Sequence, residues 1–162
     1  MKELDFTIRE AVNEPIKEYR SNSPEKLSLK NKINELKSEV FDIPIIINGQ
    51  EIRTGETGEC VMPHNHKHVL AKYHKAGEKE VKMAIDNLLE TWKTWSNTSL
   101  KNRIEIFQNM ADLLQGPYRD LINASTMLGQ SKNAFQAEID SACELIDFFN
   151  FNCEYLYNIH KQ

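Results

Sequence analysis

From Gly77 to Gln162 the apolar residues of this 162-residue chain recur almost entirely at helical spacing, and no strand-like segment interrupts them. That constrains the fold more than any other feature. Val81, Ile85, Leu88, Trp92 and Trp95 mark one helix face, and Ser96–Ser99 break it. Ser99 is suited to cap a second helix carrying Ile104, Phe107, Met110 and Leu114, which Gly116-Pro117 should stop. A shorter helix carries Leu121, Ile122 and Leu128 and is expected to end at Gly129. Ser131 is then the expected cap of a long helix bearing Phe135, Ile139, Ala142, Ile146, Phe149, Cys153 and Leu156.

The first half has a different grain. Residues 1–22 are polar, are broken by Pro15, and read as an irregular arm. Ser23-Pro24-Glu25 combines an N-cap, a first-turn proline and an acid suited to the helix dipole. Leu29, Ile33, Leu36 and Val40 continue that helix until Asp42 and Pro44. In IPIIINGQEIRTG, the β-branched run Ile45–Ile47 followed by Asn48-Gly49 predicts a hairpin with a type I′ turn. Further β segments are expected at Glu59–Met62 and His68–His74, separated by a turn at 64–67. The fold class is therefore mainly α, about five helices with a small antiparallel β meander. No βαβ alternation supplies a parallel sheet for four amphipathic helices to cover. The pattern reads as part of something larger.

Composition narrows the function. The formal net charge is -4, with lysines and acids interspersed, which argues against binding nucleic acid by phosphate neutralisation. The apolar runs are far too short for a membrane span. Three cysteines without CxxC spacing and no secretory signal suggest reduced thiols in a cytosolic or matrix compartment. Five acids among the first 20 residues argue against a transit peptide.

The chemical candidates are few. His64, His66 and His68 in PHNHKH could share a face on an extended strand and hold a metal ion. Pro63 and Asn65 instead make residues 63–67 read as a turn, so the histidines are treated as structural. Cys143 and Cys153 fall mid-helix and Cys60 in a β segment, positions suited to packing rather than nucleophilic attack. GxGxxG and GxxxxGK[ST] are absent. Glu138, in QAEIDSACELIDFF, has only Ala134, Phe135, Ser141 and Ala142 as helical neighbours, so no local cation pairs with it. Either it edges a solvated stripe, or it is buried and takes a partner from elsewhere, a ligand cation or a backbone donor.

The stretch TMLGQSKNAFQAEIDSACELIDFFNFN at 126–152 closely resembles the 1-pyrroline-5-carboxylate dehydrogenases of the aldehyde dehydrogenase superfamily. NEPI at 13–16, SPE at 23–25, PHNHKH at 63–68 and LLQGPYR at 113–119 agree in order. The chain departs from the family pattern at His64, more often aromatic, at Ser131, commonly glycine, and at Asn150, commonly arginine. The resemblance implies an α/β fold about three times longer, of which residues 23–162 are the N-terminal portion of the NAD-binding domain. It also implies NAD-dependent oxidation of L-glutamate γ-semialdehyde to L-glutamate in proline degradation. Cysteine adds to the aldehyde, hydride leaves to NAD, and water cleaves the thioester.

The nucleotide-binding strands, catalytic cysteine and general-base glutamate are implied to lie beyond the matched part, so these residues alone are expected to be inactive. The implied partners are the rest of the dehydrogenase, a small-molecule substrate and, at full length, further copies of the same chain. The implied compartment is the cytoplasm, or the mitochondrial matrix in a eukaryote. The resemblance points to Glu138 as the residue facing the substrate amino group. The alternative reading is a standalone helical protein-interaction module derived from such an enzyme.

Overall fold

A computed structural model describes residues 5–162. The chain divides into two compact units, one formed by residues before 35 and after 98, the other by residues 35–98.

The first unit is helical. α1 (Pro24–Lys37) opens as the sequence predicts, with the Ser23 hydroxyl accepting from the Lys26 N–H. α3 (Leu100–Gln115) is capped by Ser99, which accepts from the Asn102 N–H, and it stops at Gly116. α4 (Arg119–Gln130) and a short α5 (Ala134–Ala137) follow. Then come one π-helical segment, Glu138–Cys143, and α6 (Glu144–Lys161).

α3 packs through Ala111 and Leu114 against Ala142 of the π-helical segment and Ile146 of α6, joined by Ile122, Leu145 and Phe149. The two alanines let the backbones approach closely. Farther along, Ile104, Cys153 and Tyr157 pack with Phe6, Ile8, Leu100 and Leu156, so the arm contributes to this core.

Ser131 does not cap the last helix. It sits at φ +57° as the left-handed C-cap of α4, and Asn133 makes the next N-cap, its side chain accepting from the Gln136 N–H. Gly129, the expected helix stop, lies inside α4. A left-handed C-cap favours glycine.

The second unit contains the strands and α2 (Glu78–Trp95). β2 (Ile45–Ile47) and β3 (Gln50–Ile52) form the expected hairpin, with Asn48 and Gly49 at φ +52° and +71°, as a type I′ turn requires. β4 (Thr57–Met62) pairs antiparallel with β5 (Asn65–His74).

Two expectations change here. The turn is tighter than 64–67, because β5 begins at Asn65 and carries both His66 and His68. Nor is the sheet wholly antiparallel. Residues 41–43, expected at the helix end, form β1 (Phe41–Ile43), which pairs parallel with β5 in the order β1-β5-β4. α1 stops at Lys37, and the β-prone Phe41 and Ile43 gain ladder hydrogen bonds instead. Gly58 lies opposite Tyr73, and a Cβ there would fall 2.4 Å from the tyrosine ring, so this crossing admits only glycine without movement of Tyr73.

Candidate functional site

A buried polar cluster lies within the helical unit, where Glu138 opens the π-helical segment. π-Helical turns are frequent at functional sites. The Glu138 side chain is fully buried, so the solvated-stripe alternative does not hold. Its Oε1 accepts from the Lys17 N–H at 2.7 Å and from Arg119 Nη2. Its Oε2 accepts from the Tyr19 hydroxyl at 2.7 Å, Asn123 Nδ2 at 2.8 Å and Arg119 Nε at 3.3 Å.

Arg119 and Asn123 are one turn apart at the start of α4, so their side chains share a face. Arg119, 2% exposed, bonds Glu14 through Nη1 and the Pro15 carbonyl through Nη2 at 2.9 Å. Gln115 Nε2 donates to the other oxygen of Glu14 at 2.6 Å. One guanidinium thus serves two carboxylates. Asn123 Nδ2 also bonds the Tyr19 hydroxyl at 3.0 Å, while Asn123 Oδ1 is buried without a partner.

The titrations follow from these contacts. Burial by itself raises the pKa of Glu138, but the bonds from Arg119, the Lys17 N–H and Tyr19 outweigh it, and the carboxyl sits below its ordinary range. Burial raises the pKa of Tyr19, and the Glu138 carboxylate raises it further. Burial opposes the charge on Arg119, yet its bonds to Glu138 and Glu14 raise its pKa and keep it protonated. Burial pushes the Cys143 thiol up to about 11 and also raises Cys153, which suits packing rather than nucleophilic chemistry. Cys60 is free and exposed on β4.

The arm that supplies Glu14, Lys17 and Tyr19 is lashed along one side of α6. The Ala11 N–H donates to Glu154 at 2.7 Å, the Glu14 N–H to Asp147 at 2.7 Å, and the Tyr157 hydroxyl to the Phe6 carbonyl at 2.8 Å. Arg9 bridges Asp112 at 2.8 Å and Asn150 at 3.1 Å. Asn150 is therefore an acceptor for the arm's own arginine. An arginine at that position has no acceptor to offer Arg9.

The sequence singled out Glu138 but missed Glu14, Tyr19, Arg119 and Asn123. The available signal was chemical: a carboxylate in an apolar run demands a cation, and LLQGPYR carries one. The cation left unassigned is Arg119, and the backbone donor is Lys17. The carboxylate has no exposed oxygen, and direct contact with a substrate amino group requires some of these donors to leave.

His64 lies in the turn before β5, whereas His66 and His68 alternate along the strand. Among the described residues no group of three His, Cys, Asp or Glu side chains is placed to hold a metal ion. The N-terminus of α2, which follows a strand and a glycine, is taken by the Glu80 carboxylate, which accepts from the Gly77 N–H at 2.9 Å and would repel a phosphate. No helix among the described residues is long and apolar enough to cross a membrane.

A delta-1-pyrroline-5-carboxylate dehydrogenase from Agaricus bisporus is 40% identical over 158 residues, covering 97% of this chain and 29% of the relative. The mitochondrial enzyme of that name from Homo sapiens is 38% identical over 93% of this chain and 27% of its own length. The chain thus spans less than a third of these relatives. A crystal structure of the Mycobacterium tuberculosis delta-pyrroline-5-carboxylate dehydrogenase, bound with NAD and cobalamin, superimposes on all of this chain with a TM-score of 0.95 and 34% identity, using 31% of its own length. The Thermus 1-pyrroline-5-carboxylate dehydrogenase, 22% identical, shares the fold with a TM-score of 0.85. The aldehyde dehydrogenase family model matches residues 51–162, and the chain belongs to that family.

Proposed function

We propose that this chain is the N-terminal part of an NAD-dependent dehydrogenase that oxidises L-glutamate γ-semialdehyde to L-glutamate. The observation that carries the reading is the superposition of the whole chain on the start of a delta-pyrroline-5-carboxylate dehydrogenase at 34% identity. The NAD-bound state of that relative supports NAD as the cofactor of the complete protein. NAD itself supplies the hydride acceptor.

In this reading the catalytic cysteine and the general base lie in the rest of the dehydrogenase, and this chain contributes no step at the reacting carbon. Two of the three cysteines are buried thiols with raised pKa values, and the α2 N-terminus is closed to phosphate. These 162 residues alone are therefore inactive in this reading, and the rest of the dehydrogenase is their partner. The cytosol, or the matrix in a eukaryote, is the proposed compartment, in keeping with the mitochondrial relatives.

Glu138 is the one residue to which the resemblance gives a substrate role, at the amino group of the semialdehyde. An ammonium would reach the carboxylate only by displacing some of the donors it accepts from, among the Lys17 N–H, the Tyr19 hydroxyl, Asn123 and Arg119. The saturated geometry supports a positioning duty: Glu138 holds the arm and α4 against the π-helical segment.

The test is the full-length protein, assayed for NADH formation with the semialdehyde and with a small neutral aldehyde. Oxidation favouring the semialdehyde supports the proposed function, and no preference for it overturns that function. Glu138→Gln in the same protein separates the two duties. An unchanged ratio of KM values for the two aldehydes is the expected outcome, and a selective rise for the semialdehyde would establish contact with the amino group.

A further inference from the structure

Asn48-Gly49 is the one place in the chain where an asparagine precedes a residue without a side chain. An asparagine carries an electrophilic carbon, Cγ, within ring-closing reach of the next backbone nitrogen. The structure separates this pair from the other asparagines. Asn22 and Asn97 precede the small residues Ser23 and Thr98, but the Ser23 N–H donates to the Arg20 carbonyl and the Thr98 N–H to the Trp95 carbonyl. The carboxamides of Asn97, Asn123 and Asn152 donate to Lys93, Glu138 and Phe148, each at 2.8 Å. Asn48 and Gly49 are both exposed, and a Cβ on Gly49 would meet nothing within 4 Å. The Gly49 N–H lies at the tip of a two-residue loop, outside the ladder that ends at Ile47 and Gln50.

We propose that Asn48 is a self-modifying site, where the hairpin tip converts to aspartate and isoaspartate. Hydroxide takes the Gly49 amide proton, and the nitrogen attacks Asn48 Cγ. The new N–C bond closes a succinimide, the Cγ–Nδ2 bond breaks, and the nitrogen leaves as ammonia with a proton from water. Water then opens the ring at either carbonyl. Opening at Cγ gives aspartate, and opening at the main-chain carbonyl gives isoaspartate. No reactant besides water is consumed.

The fold controls both the rate and the consequence. A type I′ turn holds its first central residue at φ and ψ of about +60° and +30°, and Asn48 has φ +52°. That geometry turns the Gly49 nitrogen away from Cγ, so the ring closes only when the turn opens. Aspartate at position 48 keeps the hairpin, because Asp-Gly suits the same turn. Isoaspartate routes the main chain through Cβ and Cγ and adds a methylene to a loop whose geometry fits two ordinary residues. Only the pairs Ile45–Ile52, Ile46–Glu51 and Ile47–Gln50 hold β2 to β3, and the insertion unzips them.

The test incubates this chain at mildly alkaline pH, native and in urea, and maps the products by mass spectrometry with electron-transfer fragmentation, which tells isoaspartate from aspartate. Asn48 should convert ahead of every other asparagine, and about tenfold or more faster in urea than in the native chain. Amide hydrogen exchange then compares Asn48→Asp with the isoaspartyl fraction, separated by chromatography. Protection of the Ile47 and Gln50 amides should survive in the first and be lost in the second. Earlier conversion of another asparagine, an equal rate in urea, an isoaspartyl chain with these amides still protected, or the same loss of protection in Asn48→Asp overturns the proposal.

Discussion

The Tyr19 hydroxyl donates to Glu138 Oε2 at 2.7 Å across 119 residues of sequence, in the buried centre of the helical unit. Tyr19 itself sits at φ +51°, a left-handed conformation rare for a bulky residue. The strain is offset by a cluster that joins arm, α4 and π-helical segment, because each donor there answers a carboxylate with no access to water.

Arg119 is the cation on which that cluster depends. Arg119→Met removes the charge that serves both Glu14 and Glu138 and leaves two buried carboxylates unneutralised. The expected loss is about 3–5 kcal/mol, the usual cost of breaking a buried ion pair from one side. Urea denaturation followed by circular dichroism measures it. Arg119→Lys keeps the charge but loses the fork that reaches Glu14, Glu138 and the Pro15 carbonyl together, and should fall between Met and the native residue. A Met variant as stable as the native chain would show that the carboxylates find another partner.

Glu138 and Tyr19 give the stability a defined pH dependence at each end. The folded pKa of Glu138 is depressed, so its contribution is present above the unfolded carboxyl value, near 4.3, and is lost as the pH falls through the folded value. The folded pKa of Tyr19 is raised, so its contribution is present below the unfolded phenol value, near 10, and is lost as the pH rises beyond it. Denaturant midpoints taken across pH should fall off at both ends. Glu138→Gln should flatten the acid limb and Tyr19→Phe the alkaline one.

Ser131 occupies a left-handed C-cap that glycine adopts without strain. Ser131→Gly should stabilise the chain by up to about 1 kcal/mol, seen as a higher Tm. A lower Tm would mean that the serine hydroxyl contributes more than the backbone strain costs.

The three thiols should separate by burial. Cys60 is exposed, whereas Cys143 and Cys153 are buried with raised pKa values. A thiol-specific disulfide reagent at neutral pH should therefore modify Cys60 promptly and the other two only under denaturing conditions. Mass spectrometry of the labelled peptides identifies the sites, and prompt labelling of Cys143 would contradict the packed cluster around Arg119.

What the sequence by itself determined is what a few neighbouring residues can decide. Asn48-Gly49 makes the I′ turn because its two positive φ values need those residues and nothing distant. Ser23 and Ser99 cap because their hydroxyls reach N–H groups three residues on, and Gly116 ends α3 within its own turn. The resemblance carried by QAEIDSACELIDFF also lies within one continuous stretch. Local windows failed where two choices were nearly equal in energy. Ser131 and Asn133 both suit an N-cap, and the left-handed turn at Ser131 gives the cap to Asn133. Residues 41–43 read as the end of a helix, and only the presence of β5 alongside made a parallel strand the better state.

The buried cluster was decided by tertiary structure alone. The sequence showed that Glu138 lacked a nearby cation, which is a statement about charge. It did not show that Arg119 from α4 and the Lys17 and Tyr19 groups of the arm would converge on it. That convergence depends on how α3, α4 and α6 pack, since a carboxylate accepts any donor within reach and reach is set by the fold.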